Sequence, residues 1–231
     1  MIINDKAYTI LIVIYLFNHL FADKNNLFPA KLFNVLHNNQ GWELIADEEG
    51  ISLLTKSIEG EDLSAYMVKR KIGKDPHEIQ NIIMDVKNYK NYFKGSDGLV
   101  FKEIMRKESW VDGYSVIPVE IPFVKNREYY FRIFPSGFNF KDTTSLVHWH
   151  ILKPTNYEAS DAILLDYGAG LWVAEKSKDG SYVLTYRLYM DPGGELPNFA
   201  INIINKMSIM NIFRDVLSEF EYRVNFRDSN D

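Results

Sequence analysis

Tyr186-Arg187-Leu188-Tyr189-Met190-Asp191-Pro192-Gly193-Gly194-Glu195-Leu196-Pro197 joins a strand-like segment to an apolar stretch that runs to the end of the chain. Pro192 fixes φ, Gly193 and Gly194 permit backbone angles that other residues avoid, and Pro197 suits a first helical turn. Beyond this turn Phe199, Ile203, Met207, Met210, Phe213, Leu217, Phe220 and Val224 recur at steps of three and four, which predicts one long helix with a continuous apolar stripe. At about 1.5 Å per residue the stripe covers roughly 40 Å, so something broad must lie against it. Either it packs solidly on a sheet, or helix and sheet together enclose a cavity. The flexible thioethers of Met207 and Met210 suit both arrangements.

Composition narrows the partners. The chain has 231 residues, 46% of them hydrophobic and 14% aromatic, which is ample for a sizeable core. A net charge of −5 without a long basic block argues against a surface that tracks nucleic acid. With no cysteine there is no disulfide framework, no thiol nucleophile and no cysteine-type zinc site.

Residues 8–17 form an apolar run after Lys6 and before Ala22, the pattern of a secretory signal peptide. The run is too short to cross a bilayer, which takes about 20 residues; tolerating Asn18 and His19 would stretch it into a membrane anchor. The expectation is therefore a signal or anchor over residues 1–22, with an exported or membrane-anchored protein accordingly. A buried helix is the third reading. Residues 23–231 form a single domain, because proline and glycine are scattered as turn punctuation and no linker follows residue 26.

A short helix is expected over 27–36, and Gly41-Trp42-Glu43 then opens the sheet region. Asp75-Pro76-His77-Glu78 reads as the start of a second helix, with Asp75 capping and Glu78 completing a capping box. Strand-like segments follow at 99–105, 109–119, 128–134, 144–152, 162–175 and 181–189, in addition to an early pair at 51–55 and 64–72. Links as short as Lys178-Asp179-Gly180 require antiparallel neighbours. The fold class is α+β, a curved antiparallel sheet gripping the last helix.

Few residues suggest covalent chemistry. Asp85 is a lone acid without a partner base, better suited to local hydrogen bonds or an ion pair than to catalysis. His148-Trp149-His150 puts two imidazoles on one face of a strand, enough for two metal ligands, but a third is not apparent. The expected placement is both histidines on a solvated face with Trp149 in the core. Trp110 and Trp172 are candidates for a cation-holding aromatic cage, or for ordinary packing.

In this order and spacing the chain resembles the START domain of lipid transfer proteins related to the steroidogenic acute regulatory protein, over roughly residues 27–228. The residues that carry the resemblance are Trp42, Gly50-Ile51, Asp85 with Tyr89, Trp110 to Tyr114, Pro122 with Arg127-Glu128, Gly170-Leu171-Trp172, Tyr186, and Asp191-Pro192-Gly193-Gly194 with Pro197 and Asn202. The resemblance implies a helix-grip fold enclosing one elongated apolar cavity for a single lipid, of the phospholipid, sterol or fatty acid class. It implies no cofactor, no metal and no catalysis, a monomer, and transient contact with a membrane. Arg127 would meet a lipid phosphate with Glu128 beside it; the alternative is an Arg127 ion pair between strands. Trp110, Trp172, Met207, Met210 and Phe213 would line the wall. Phe134, Phe138 and Phe140 would sit on an omega loop that gates the cavity and touches the membrane. One departure from sterol-binding members is Ile133, where those carry a second basic residue. Related helix-grip pockets also serve cyclases, aromatases and hydrolases, so an enzyme acting on a small hydrophobic substrate is the alternative.

Overall fold

The computed structural model describes residues 29–94, 99–119, 121–135, 139–140, 143–154, 157–194, 196 and 198–229; at 139–140, 143–145, 198–207 and 228 it describes the backbone only. The expected signal or anchor at 1–22 and the loop tip with Phe138 lie outside the described residues. No helix among the described residues is long and apolar enough to cross a membrane.

Among these residues the strands are β1 (Glu43–Glu48), β2 (Ile51–Ser57), β3 (Ser64–Ile72), β4 (Val100–Arg106), β5 (Val111–Ile117), β6 (Arg127–Pro135), β7 (Asn139–Phe140), β8 (Thr143–Leu152), β9 (Ile163–Leu164), β10 (Gly168–Lys176) and β11 (Tyr182–Met190). The helices are α1 (Ala30–His37), α2 (His77–Met84), α3 (Tyr89–Tyr92) and α4 (Asn198–Asp228). The long strands form one antiparallel sheet in the order β1-β2-β3-β11-β10-β8-β6-β5-β4, with β7 on β8 and β9 on β6. The fold is the α+β helix-grip arrangement.

Sequence segment 162–175, expected as one strand, is divided. Strand β8 stops pairing with β6 at Tyr130, and Ile163–Leu164 fills the gap by pairing parallel with Arg127–Glu128. The chain then crosses over, and Ala169 pairs with His150 on the other side of β8.

Strand alternation sorts the side chains into two layers. One face carries Tyr129, Phe131 and Ile133 of β6, Trp149 of β8, Trp172 and Ala174 of β10, and Leu184, Tyr186 and Leu188 of β11. These pack with Ile79, Ile82 and Ile83 of α2 and with Ile209, Met210, Phe213, Val216, Leu217 and Phe220 of α4. Each such helical side chain gains about 1.5–3 kcal/mol on burial, before conformational entropy is counted. From Met210 to Phe220 the predicted stripe is the face that α4 buries; the side chains of Phe199, Ile203 and Met207 lie outside the described residues.

The other face is covered as well. Leu32, Phe33 and Leu36 of α1 pack on Ala169, Leu171, Val173 and Tyr189. The last carbonyls of α1 accept hydrogen bonds from Arg187 Nη1 (Leu36 O, 2.9 Å; His37 O, 3.1 Å) and from Lys56 Nζ (Val35 O, 3.0 Å). Two cations at a helix C-terminus satisfy orphan carbonyls and oppose the negative end of the dipole. This layer corrects the expectation for His148 and His150: both are buried, not solvated. Phe33 meets the His148 ring edge-on at 5.2 Å between centroids, and Phe134 meets it at 3.5 Å. Trp149 does turn into the α4-facing core, as alternation requires.

The helix start at Asp75 is half as predicted. Asp75 Oδ1 accepts from the backbone N–H of His77 at 2.9 Å, but Glu78 forms no capping box. Instead its buried carboxylate reaches across to α4, accepting from Arg223 Nη1 at 3.0 Å and Arg227 Nη2 at 2.6 Å. Each carboxylate oxygen thereby meets a full positive charge, where a capping box would offer one backbone N–H.

Candidate ligand-binding site

Between the sheet and α4 lies a cavity of about 50 Å³ lined by Ile83, Tyr89, Phe93, Phe101, Tyr129, Phe131, Ile133, Trp149, Trp172, Tyr186, Ile212 and Val216. The wall is aromatic because the strands make room for rings. A Cβ on Gly170 would stand 2.6 Å from Trp149 Nε1, and one on Gly113 would stand 2.3 Å from Phe131 Cζ, so only glycine allows these rings to lie flat across the neighbouring strand. Trp172 stacks on Tyr186 at 4.3 Å and on Phe213 at 5.6 Å, linking β10, β11 and α4 in one ring stack. Trp149 Nε1 donates to Tyr186 Oη at 3.2 Å.

The cavity is small. Pockets for drug-sized ligands run to about 300–1,000 Å³, so the space among the described residues does not by itself hold a lipid. Trp172 lines this cavity, whereas Met210 and Phe213, which the sequence reading put in its wall, are buried in the same core but are not among the lining residues. The side chain of Met207 lies outside the described residues.

The lining is also chemically quiet. Its ionisable groups among the described residues are tyrosines, and burial pushes Tyr129 up to about 12 and raises Tyr186 and Tyr89. None of these phenols is a base at neutral pH.

Arg127 begins β6 on the parity of Tyr129 and Phe131, facing α4, and is 1% exposed. Its Nε donates to Pro192 O at 3.0 Å, Nη2 to Gly193 O at 3.2 Å, and Nη1 to Lys125 O. The guanidinium therefore clasps the turn that leads into α4. That turn needs Gly193 and Gly194 at φ +60° and +67°, angles a side chain resists. Among the described residues no carboxylate stands at ion-pair distance from Arg127, and burial lowers its affinity for its proton. It ties β6 to the turn through carbonyls, and among the described residues the interstrand ion pair of the alternative reading is not seen.

Glu128 points the opposite way. On the far face of β6 it accepts from Tyr114 Oη at 2.5 Å, Tyr157 Oη at 2.6 Å and Ser160 Oγ at 2.7 Å. Burial would raise its pKa, but the three hydroxyls outweigh that and hold it below the ordinary carboxylate value. Trp110 is on this far face too, covered by Arg132, whose guanidinium carbon lies 3.9 Å from the ring centroid while Asp112 pairs with it at 2.7 Å. The Trp110 ring thus already holds a cation of the protein, apart from Trp172. Phe134 packs against His148 and His150 rather than facing α4. Of the gate loop, Phe140 is described by backbone alone, in the two-residue strand β7.

Asp85 takes the local role expected of it, accepting from Asn88 Nδ2 at 3.0 Å on both oxygens, with Arg223 at 3.9 Å. Sequence reasoning missed the tyrosines of the wall. Tyr89, Tyr129 and Tyr186 sit at inward strand or helix positions, a signal that alternation could have supplied.

No family model matches the chain. A curated, uncharacterised protein of Pseudomonas aeruginosa is 22% identical over 199 residues, 84% of this chain and 95% of that protein. Among solved structures, the STAR-related lipid transfer protein of Xanthomonas axonopodis superposes with a TM-score of 0.63 at 16% identity, covering 78% of this chain and 99% of that one. Human StAR-related lipid transfer protein 5 gives 0.61 at 13% identity, covering 81% and 89%. Human STARD10 gives 0.60 at 18% identity, covering 85% and 81%. The chain has a START-like fold.

Proposed function

We propose that this domain binds one hydrophobic molecule between its sheet and α4 and carries it between membranes without covalent chemistry. The observation that supports this most is the ring-lined cavity on the helix side of the sheet, with no carboxylate, imidazole or amine in its described wall. In such a wall the driving force is transfer of apolar surface from water, about 0.8 kcal/mol per buried CH2. The START-like neighbours named as lipid transfer proteins add support for a lipid ligand.

Loading requires more room than about 50 Å³. The element placed to give way is the Trp172–Tyr186–Phe213 stack, one ring of which rides on α4. A shift of α4 would part Phe213 from Trp172 and extend the cavity toward the helix. The loop that carries Phe138 and Phe140 would act with α4 as the gate, with Phe134 held before it in β6 against His148. Three of the five N–H groups of Arg127 are engaged by carbonyls, so at most two serve a lipid phosphate. Export through residues 1–22 fits such a carrier.

Titration with a fluorescent fatty acid, a sterol and a short-chain phospholipid tests the reading. Saturable uptake of one class at one molecule per chain is expected, with quenching of tryptophan emission as ligand reaches Trp149 and Trp172. Failure of all three to bind removes the carrier function.

A further inference from the structure

Among the described residues that line the cavity between the sheet and α4, only Ile83, Ile133, Ile212 and Val216 are aliphatic; the others carry rings. Two of these rings form a wedge. Tyr129 and Trp149 stand 6.2 Å apart between centroids at 31°. Rings in contact lie about 3.5–4 Å apart, so a third ring between two others needs roughly 7 Å, and about 1 Å of opening here admits a flat guest. One plate of the wedge is fixed. Trp149 lies over Gly170 and donates from Nε1 to Tyr186 Oη, and Tyr186 in turn stacks on Trp172 at 9°.

A polar group belongs to the same face of the sheet. Ser115 of β5 has the parity of Val111 and Ile117, which lie in the core under α4. It pairs directly with Phe101 of β4 on one side and Tyr129 of β6 on the other, and both of these line the cavity. Ser115 is 0% exposed, and its Oγ has no hydrogen-bond partner among the described residues. The Tyr129 phenol is near enough for the hydroxyl to temper the rise that burial causes, yet no hydrogen bond of ordinary geometry closes between them. A buried hydroxyl without a partner is costly, and an alanine at this place would avoid that cost. An oxygen on the guest would complete it.

We infer that the ligand this domain prefers carries a planar unsaturated ring with a hydroxyl or carbonyl at its edge, the ring held between Tyr129 and Trp149 and the oxygen by Ser115. The inference deepens the carrier reading and rests on it. Each stacked pair of rings contributes roughly twofold to tenfold in affinity beyond the area it buries. The serine hydroxyl donates to a carbonyl or accepts from a hydroxyl, so either oxygen serves. A rigid ring also surrenders less rotational freedom on entering than an acyl chain does. Any saturated tail has Ile83, Ile212 and Val216 to lie against. Fatty acids and sterols gain from apolar burial too, but the first are flexible, the second are puckered, and neither offers a flat π system.

Calorimetric titration of the full chain with naphthol and with decalol, its fully saturated counterpart, tests this, since the two share a carbon skeleton and a hydroxyl. Naphthol is expected to bind at least about tenfold more tightly, because it stacks on two faces. Ser115→Ala is expected to weaken naphthol about threefold to tenfold, the scale of one hydrogen bond, and to leave naphthalene binding unchanged. The same variant is expected to melt no lower than the parent, because it removes an unpartnered hydroxyl. Equal affinity for the two bicyclic alcohols overturns the flat-ring preference. Unchanged naphthol affinity in Ser115→Ala, or a lowered melting temperature, overturns the anchor. Lauric acid in the same series separates this inference from the reading beneath it. Uptake of lauric acid with neither alcohol bound refutes the ring ligand and leaves the carrier standing, whereas a protein that binds none of the three refutes the carrier as well.

Discussion

Replacing Arg127 by methionine separates a structural clasp from a head-group receptor. The side chain makes three charge-assisted hydrogen bonds, to Pro192 O, Gly193 O and Lys125 O, at 1% exposure. At about 1.5–3 kcal/mol each these total roughly 5–9 kcal/mol. Against this stands the cost of burying a cation that has no carboxylate beside it among the described residues, several kcal/mol that methionine does not incur. The net loss expected is about 2–4 kcal/mol, and the turn into α4 should loosen. Urea unfolding followed by tryptophan emission measures the first, and hydrogen exchange at residues 190–194 measures the second. Arg127→Lys should recover little, because an ammonium lacks the planar fork that spans three carbonyls. A methionine variant within about 1 kcal/mol of the parent, with unchanged exchange at the turn, would refute the clasp. If that variant also lost bound phospholipid, the guanidinium would be a head-group ligand instead.

Gly170→Ala should cost about 1–3 kcal/mol and disturb the Trp149–Tyr186 hydrogen bond, since the new methyl meets Trp149 Nε1 at 2.6 Å and Arg187 O at 2.9 Å; an unaltered melting temperature would mean the indole does not lie there. Burial, with His37 and His150 nearby, drives His148 down to about 3, so it folds neutral. The unfolded histidine takes a proton near pH 6.5, so this group's stability is full above that pH and is lost as pH falls, by about 2 kcal/mol at pH 5. His148→Leu should flatten that slope, and equal slopes would show that His148 titrates normally. Burial alone would raise the pKa of Glu78, but the bonds from Arg223, Asn81 and Arg227 bring it below 4.5, so its contribution persists at neutral pH and is lost as pH falls through that lowered value. Glu78→Gln should cost about 2 kcal/mol at pH 7 and nothing at pH 2; an equal loss at both would place its role in packing alone.

The elements that alternation or helical periodicity marked were legible. The long helix α4 followed from steps of three and four, strand β3 from the turn glycine Gly60 that precedes it, and the turn before α4 from its proline and glycines. Strand β1 was not, because Glu43–Glu48 lies at the sheet edge with Leu44 and Ile45 exposed and has no buried face to alternate with. The site was legible by parity alone. Trp172 fell on the cavity side, whereas Glu128 and Trp110 differ in parity from Arg127 and Val111 and so belong to the far layer. The buried histidines were read as solvated because nothing in β8 reveals that α1, far away in the chain, covers them.

Native mass spectrometry of the purified full chain, with organic extraction of whatever travels with it, tests the central claim most directly. The account predicts one lipid-like molecule per chain, released on unfolding and displaced by a competitor of the same class. A protein that is empty as purified, and stays empty after incubation with phospholipid, sterol and fatty acid vesicles, would contradict it.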